Sequence, residues 1–238
     1  DLGLINDALV NRQKSVDVDP LNTFYRSRLV AQLANNNQMD LALAQLDELF
    51  SISANDDYGQ EELSNILKIQ GKLAMSIESF IKVHHARPGD PFSAGQIAIL
   101  YESIGDSNKA DHWLAQARKR GKDNRWEISS NVNVSMLRGD WHSILALAKT
   151  KEAEDKTVAS SWAGYAYMRL NDANNANKEF DKSLALSKQV KGNYSLAIHL
   201  TLLGKAIIYN HNEQGGEFKQ LAKEMYQQQV DNGLANFG

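Results

Sequence analysis

Residues 91–124 read PFSAGQIAILYESIGDSNKADHWLAQARKRGKDN, and Asp90 stands just before them. Asp90-Pro91 is a helix start: the carboxylate accepts from unbonded N–H groups, and proline fits the first helical position because its missing N–H costs nothing there. Ile97, Ala98 and Tyr101 carry the helix to Gly105. Asp106 then caps a second helix bearing Ala110, Leu114 and Ala117 at helical spacing. Two amphipathic helices joined by a tight turn form one unit, and its neighbours repeat it.

The repeat is exact in four columns. Phe24, Tyr58, Phe92 and Trp126 are aromatic and lie 34 residues apart. The same step links Asn37, Gly71, Gly105 and Gly139, residues that tolerate the backbone of a tight turn. It links Ala42, Ser76, Ala110 and Ile144, mostly small, and the apolar Leu46, Phe80, Leu114 and Ala148. A repeat of this length cannot bury its apolar face alone, so copies stack into a solenoid. The first copy agrees: Phe24, Leu29, Val30 and Leu33 fall on one face, Asn35-Asn36-Asn37 breaks the pattern, and Leu41, Ala42, Leu46, Leu49 and Phe50 resume it. Pro88-Gly89 closes the second copy.

These residues resemble the tetratricopeptide repeat, a 34-residue helix pair with small or aromatic signature residues. The third unit supplies Ala98, Tyr101, Ala110 and Ala117 at signature places, and the second supplies Phe80 and Pro88. The fifth matches best, with Gly164, Tyr167, Ala176 and Phe180. Its start is then Thr157, 32 residues after Arg125, so the fourth unit has lost two residues around Thr150–Asp155. The fourth is also degenerate, with Asn131 and Ser135 where apolar or aromatic residues are usual.

The resemblance implies an all-α, right-handed superhelical solenoid of antiparallel helix pairs. We expect a single array over 1–238: an N-terminal cap at 1–22, repeats at 23–56, 57–90, 91–124, 125–156 and 157–190, and an atypical helix pair with a tail at 191–238. Leu2, Leu4, Ile5, Ala8, Leu9 and Val10 suit a capping helix before Asp19-Pro20. At the other end, helices are expected from Tyr194 to Tyr209 and around Phe218, Leu221, Ala222, Met225 and Tyr226.

Composition narrows the function. The chain is 42% hydrophobic and 23% charged, ordinary for a protein with a packed core. Its net charge of −3 argues against nucleic acid, which needs a basic stripe. Arg118, Lys119, Arg120 and Lys122 read instead as the basic last turn of a helix. The absence of cysteine removes disulfides, thiolate metal sites and thiol nucleophiles. No apolar run reaches the ~18 residues of a membrane span; the nearest, Leu196 to Tyr209, is broken by His199 and Lys205.

Signs of catalysis are few. The histidines at 84, 85, 112, 142, 199 and 211 never form the paired spacing of a zinc site, and His84-His85 read as helix-end residues favoured by the dipole. Glycines mark turns and form no phosphate loop. Neighbouring acids such as Asp56-Asp57 and Glu61-Glu62 do not face each other on a helix. No enzyme activity, cofactor or metal is expected. The aromatic column reads as packing between repeats.

In tetratricopeptide arrays the first helices line a concave groove that receives a partner. The resemblance places Glu61, Asn65, Lys68, Ile99, Glu102, Asn133, Met136, Tyr165, Met168 and Arg169 there. It argues against the carboxylate clamp of chaperone-binding members, because the required lysine is replaced by Ser27, Glu61 and Gly95. The expected function is a non-enzymatic scaffold for a peptide or protein partner, without nucleic acid. The alternative is a structural subunit that forms homo-oligomers through an apolar end face. A chain without cysteine, rich in Asn and Gln and starting at Asp1, suits the bacterial periplasm or envelope. Pilus assembly, secretion or export is the setting that analogy suggests.

Overall fold

The computed structural model describes residues 2–121, 125–150, 156–187 and 196–211, with single positions at 216, 220 and 223. No strand occurs among the described residues. The helices are α1 (Leu2–Val18), α2 (Thr23–Asn35), α3 (Met39–Ile52), α4 (Asp57–Ile69), α5 (Leu73–Ala86), α6 (Pro91–Ser103), α7 (Ser107–Gly121), α8 (Arg125–Arg138), α9 (Trp141–Leu147), α10 (Lys156–Arg169), α11 (Ala173–Ser187) and α12 (Leu196–His211). Four pairs start at Thr23, Asp57, Pro91 and Arg125, as the 34-residue step requires, and α10 starts one residue before Thr157. The expected helix around Phe218 and residues 151–155 of the two-residue loss lie outside the described residues.

Every pair closes on the same turn. Asn37, Gly71, Gly105, Gly139 and Asn171 have φ of 58°, 73°, 84°, 70° and 60°. Their N–H groups donate to the carbonyls of Ala34, Lys68, Glu102, Met136 and Met168. The next residues, Gln38, Lys72, Asp106, Asp140 and Asp172, donate across six residues to Leu33, Leu67, Tyr101, Ser135 and Tyr167, each at 2.9 Å. This is the left-handed helix end that satisfies carbonyls otherwise left unbonded. The fifth turn, Asn171, falls 32 residues after Gly139, so the structure reproduces the phase shift.

The residue that finishes one helix also begins the next. Asp106, Asp140 and Asp172 accept from the N–H groups of Lys109, Ser143 and Asn175 at 3.1 Å. Hydrogen bonds from the Ser143 hydroxyl and N–H hold Asp140 below the usual carboxylate range, and the Asn175 N–H and amide do so for Asp172. First helices start alike: Asn22, Asp56 and Asp90 accept from Tyr25, Gly59 and Phe92.

The helices fall into two compact units, residues 1–122 and 123–236. In the first, α1 places Leu9 and Val16 in a core with Leu29, Val30, Leu33, Leu46 and Ile66. Ile77, Phe80, Ile97 and Leu100 continue that unit's interior, with Phe92 and Trp113 against them. The aromatic column packs between repeats where Phe24 meets Tyr58 edge-on at 5.2 Å, and Phe92 meets Phe80 at 6.3 Å. In the second unit, Val132, Ile144 and Ala166 form one cluster, and Ala176, Phe180 and Ile208 another. The Phe180 ring lies in a slot between α10 and α12: a Cβ at Gly164 would sit 2.5 Å from it, and one at Gly204 only 2.2 Å. Only hydrogen fits on either side.

His84 differs from the helix-end imidazolium expected. It is buried, with Nδ1 3.3 Å from the Ser93 hydroxyl and its ring edge-on to Trp113 at 4.9 Å. Burial, with Arg120 and His85 adding to it against Asp90, lowers its pKa to about 4. The ring is a neutral packing group, whereas His85 is exposed.

Two outcomes follow for stability. Gly105→Val should lower it by about 1–2 kcal/mol, the cost of left-handed backbone for a side chain. Gly105→Asn should cost less, since Asn37 and Asn171 already occupy such turns. Equal losses in urea titrations would show that φ is not the cause. For His84 the unfolded chain binds the extra proton, so stability should fall as pH drops from 6.5 towards 4, by up to ~1.4 kcal/mol per pH unit. His84→Gln should flatten that limb in urea titrations across the window, and an unchanged slope would contradict the neutral ring.

Candidate functional site

The first unit joins three first helices by a chain of polar contacts. Arg28 on α2 lies 3.3 Å from Glu62 on α4. On α4, Asn65 donates to Glu62 and Lys68 to Asn65, each at 3.4 Å, since the three residues share a face three apart. Lys68 also donates to Gln96 of α6 at 3.1 Å, with its ammonium 5.9 Å from the Phe80 ring centre. Burial raises the Glu62 pKa against the pull of Arg28, and burial lowers that of Lys68 while Glu62 opposes. Both charges therefore sit in a partly desolvated setting, where contacts are stronger than in water.

A second group surrounds Arg87, at the end of α5. Its guanidinium bonds Asp57 and, at 2.5 Å, Glu61, and lies 4.3 Å from the Tyr58 ring centre. Glu61, placed by sequence in the groove, is thus half of an ion pair. Phe24 and Tyr25 stay 42% and 37% exposed beside this group, with Arg28 5.3 Å over Phe24. On α6, Ile99 is half-buried and Glu102 accepts from Ser107 at 3.0 Å.

In the second unit the sequence-selected residues divide. Asn133 is exposed and donates to the Ser129 carbonyl of its own helix at 2.9 Å. Arg169 is exposed and stacks 5.1 Å over Trp141, which meets Tyr165 edge-on at 5.8 Å. Met136 and Met168 are partly buried against the two core clusters, so packing claims much of each. The sequence reading missed Arg28, Glu62, Gln96, Arg87 and Trp141. The i, i+3, i+6 run of Glu62, Asn65 and Lys68 was the signal for one of them.

Among the described residues no three His, Cys, Asp or Glu side chains gather as a metal ion requires, and no helix is long and apolar enough to cross a membrane. The carboxylates of Glu62 and Glu61 are held by Arg28 and Arg87.

No protein-family model and no curated protein matches the sequence. Solved structures do match. One chain of the APC/C Cut9–Hcn1 hetero-tetramer is similar over 87% of this chain at 13% identity, with a TM-score of 0.63. This chain spans 40% of that one's length. A tetratricopeptide repeat protein from Parabacteroides merdae is similar over 97% of this chain and 94% of its own, at 12% identity and a TM-score of 0.58. Its agreement along almost the whole chain, together with the five recurring left-handed turns, gives this chain the all-α solenoid fold of the tetratricopeptide-repeat proteins.

Proposed function

We propose that the chain is a non-enzymatic scaffold that holds a partner peptide or protein against its first-helix faces. One observation carries this reading: the polar chain from Arg28 through Glu62, Asn65 and Lys68 to Gln96, which spans α2, α4 and α6. Its donors and acceptors are fixed by one another before any partner arrives, so little ordering cost remains for binding. Phe24, Tyr25 and Ile69, the last 59% exposed, offer apolar contact on first helices of the same unit. Tyr165 and Arg169 offer comparable contact in the second unit. An extended segment can hydrogen-bond the polar groups while its side chains meet the aromatic ones.

A second reading has its own support. Val18 and Leu21, at the α1–α2 turn, are 85% and 74% exposed, next to Phe24 and Tyr25. Apolar side chains clustered in this way favour self-association. Light scattering after size exclusion distinguishes it: a concentration-dependent dimer that Leu21→Glu abolishes supports a self-assembling subunit, and a monomer at every concentration removes it.

We place the scaffold in the bacterial envelope, serving pilus, secretion or export assembly, on the cysteine-free, Asn- and Gln-rich composition alone. Fractionation of the full-length protein from its source tests this, and a purely cytoplasmic signal ends it.

The scaffold itself is tested by replacing Asn65, Asn133 and Arg169 together with alanine. Helicity should hold and melting should fall only modestly, because Asn133 and Arg169 are exposed and Glu62 keeps Arg28 when the half-buried Asn65 is removed. Capture of partners that wild type retains from source lysate should fall. Unchanged capture by a folded triple variant would remove the first-helix faces as the site.

A further inference from the structure

The fourth pair is incomplete in a way that leaves a hole. Its second helix, α9, has 7 residues, whereas α3, α5, α7 and α11 have 14, 14, 15 and 15. In α5 and α11 a phenylalanine, Phe80 or Phe180, follows the small residue at Ser76 or Ala176 by four positions and is fully buried. The same place after Ile144 is Ala148, one residue beyond the end of α9. Beside it lies a cavity of about 420 Å³ whose walls include Leu145, Ala148, Ala159 and Ala163. Those four side chains are small or aliphatic. Thr150, Ser160, Tyr167 and Glu179 complete the lining with Lys149 and Lys182, so it carries two ammonium groups, both exposed, against one carboxylate. Lys182 has Glu179 only at 3.7 Å, with 59% of its side chain open to solvent.

The chemistry of an occupant follows from these walls. The apolar residues receive a large apolar side chain, of the kind that Phe80 and Phe180 supply within their own pairs. α10, which supplies Ala159 and Ala163, is a first helix, and in the first unit the first helices α4 and α6 pack against the full-length second helices α3 and α5 that precede them. With Glu179 beside Lys182, the rim keeps an excess of one positive charge, and the exposed Lys149 ammonium attracts carboxylates. We propose that this cavity is a docking site for an acidic amphipathic helix of a partner protein, which inserts a phenylalanine or leucine where α9 stops short. The site is distinct from the residues proposed above to meet the partner: none of Asn65, Asn133 and Arg169 lines it.

The test uses the full chain and a defined probe. The probe is a labelled, end-blocked, Ala- and Glu-rich peptide of about fifteen residues, long enough to form helix in water. It carries one phenylalanine with glutamates four residues before and three after, and a control peptide has alanine at the phenylalanine. Fluorescence anisotropy should show saturable binding of the first peptide and at least tenfold weaker binding of the control. Ala148→Phe should fill the cavity from within, raise the melting temperature and weaken the first peptide at least tenfold. Lys149→Glu should weaken it severalfold and reduce its sensitivity to salt. The variant lacking Asn65, Asn133 and Arg169 should bind the peptide as wild type does, which separates this site from the scaffold face. Should Ala148→Phe fail to fold, the peptide pair and Lys149→Glu, at an exposed position, still decide. No binding to wild type, equal binding of both peptides, or binding unaffected by both substitutions would overturn the proposal.

Discussion

The backbone at five turns controls this structure. A helix end leaves carbonyls without partners, and burying them unbonded costs free energy. Here the left-handed residue at Asn37, Gly71, Gly105, Gly139 or Asn171 folds the chain back so that its own N–H and that of the next residue meet those carbonyls. The next residue then precedes the second helix, and as Asp106, Asp140 or Asp172 it caps that helix with its own carboxylate. No spare residue remains between the helices of a pair. Side chains on both helices therefore recur in register, and the apolar columns fall opposite one another.

That economy explains what the sequence makes legible. Turn and capping residues act locally, through their own φ or their own oxygen, so their identity alone announces them. Asp90-Pro91, Gly105 and Asp106 marked the third pair, and α6 and α7 lie where they indicated. The two-residue phase shift was visible because Gly164, Tyr167, Ala176 and Phe180 reappear together, and α10 and α11 carry them. Contacts between elements were less legible. Nothing local to Arg28 says that it reaches Glu62 on the next pair, nor does Arg87 announce Asp57 and Glu61. His84 looked like a helix-end cation because its position on α5 is visible in sequence, while Trp113 and Ser93, which bury it, come from two other helices. Met136 and Met168 suited a groove by spacing, yet spacing alone does not divide a side chain between solvent and core.

Small residues do the remaining positioning. Among the described residues of the second unit, Phe180 is the largest fully buried apolar side chain, and it fits because Gly164 and Gly204 present bare backbone to both sides of its ring. Close packing of this kind is sensitive to single atoms. The polar contacts of the first unit have a different tolerance. They join side chains at 3.1–3.4 Å, from the buried Glu62 to the half-buried Asn65 and Lys68, where longer polar contacts tolerate small shifts that the Phe180 slot does not.

The turn also bears on how the chain reaches its fold. Each turn closes bonds that span no more than six residues, and α2 meets α3, α4 meets α5, and α6 meets α7 directly across them. Contacts between near neighbours in sequence cost little loop-closure entropy, and chains built from them fold quickly. A pair needs nothing further along the chain to close its turn, although it needs a neighbour to bury its face. Folding can therefore begin at any pair and spread to the next. A nascent chain leaving the ribosome can set α2 against α3 while α6 is still unmade, and each pair already formed gives the following one a surface on which to condense.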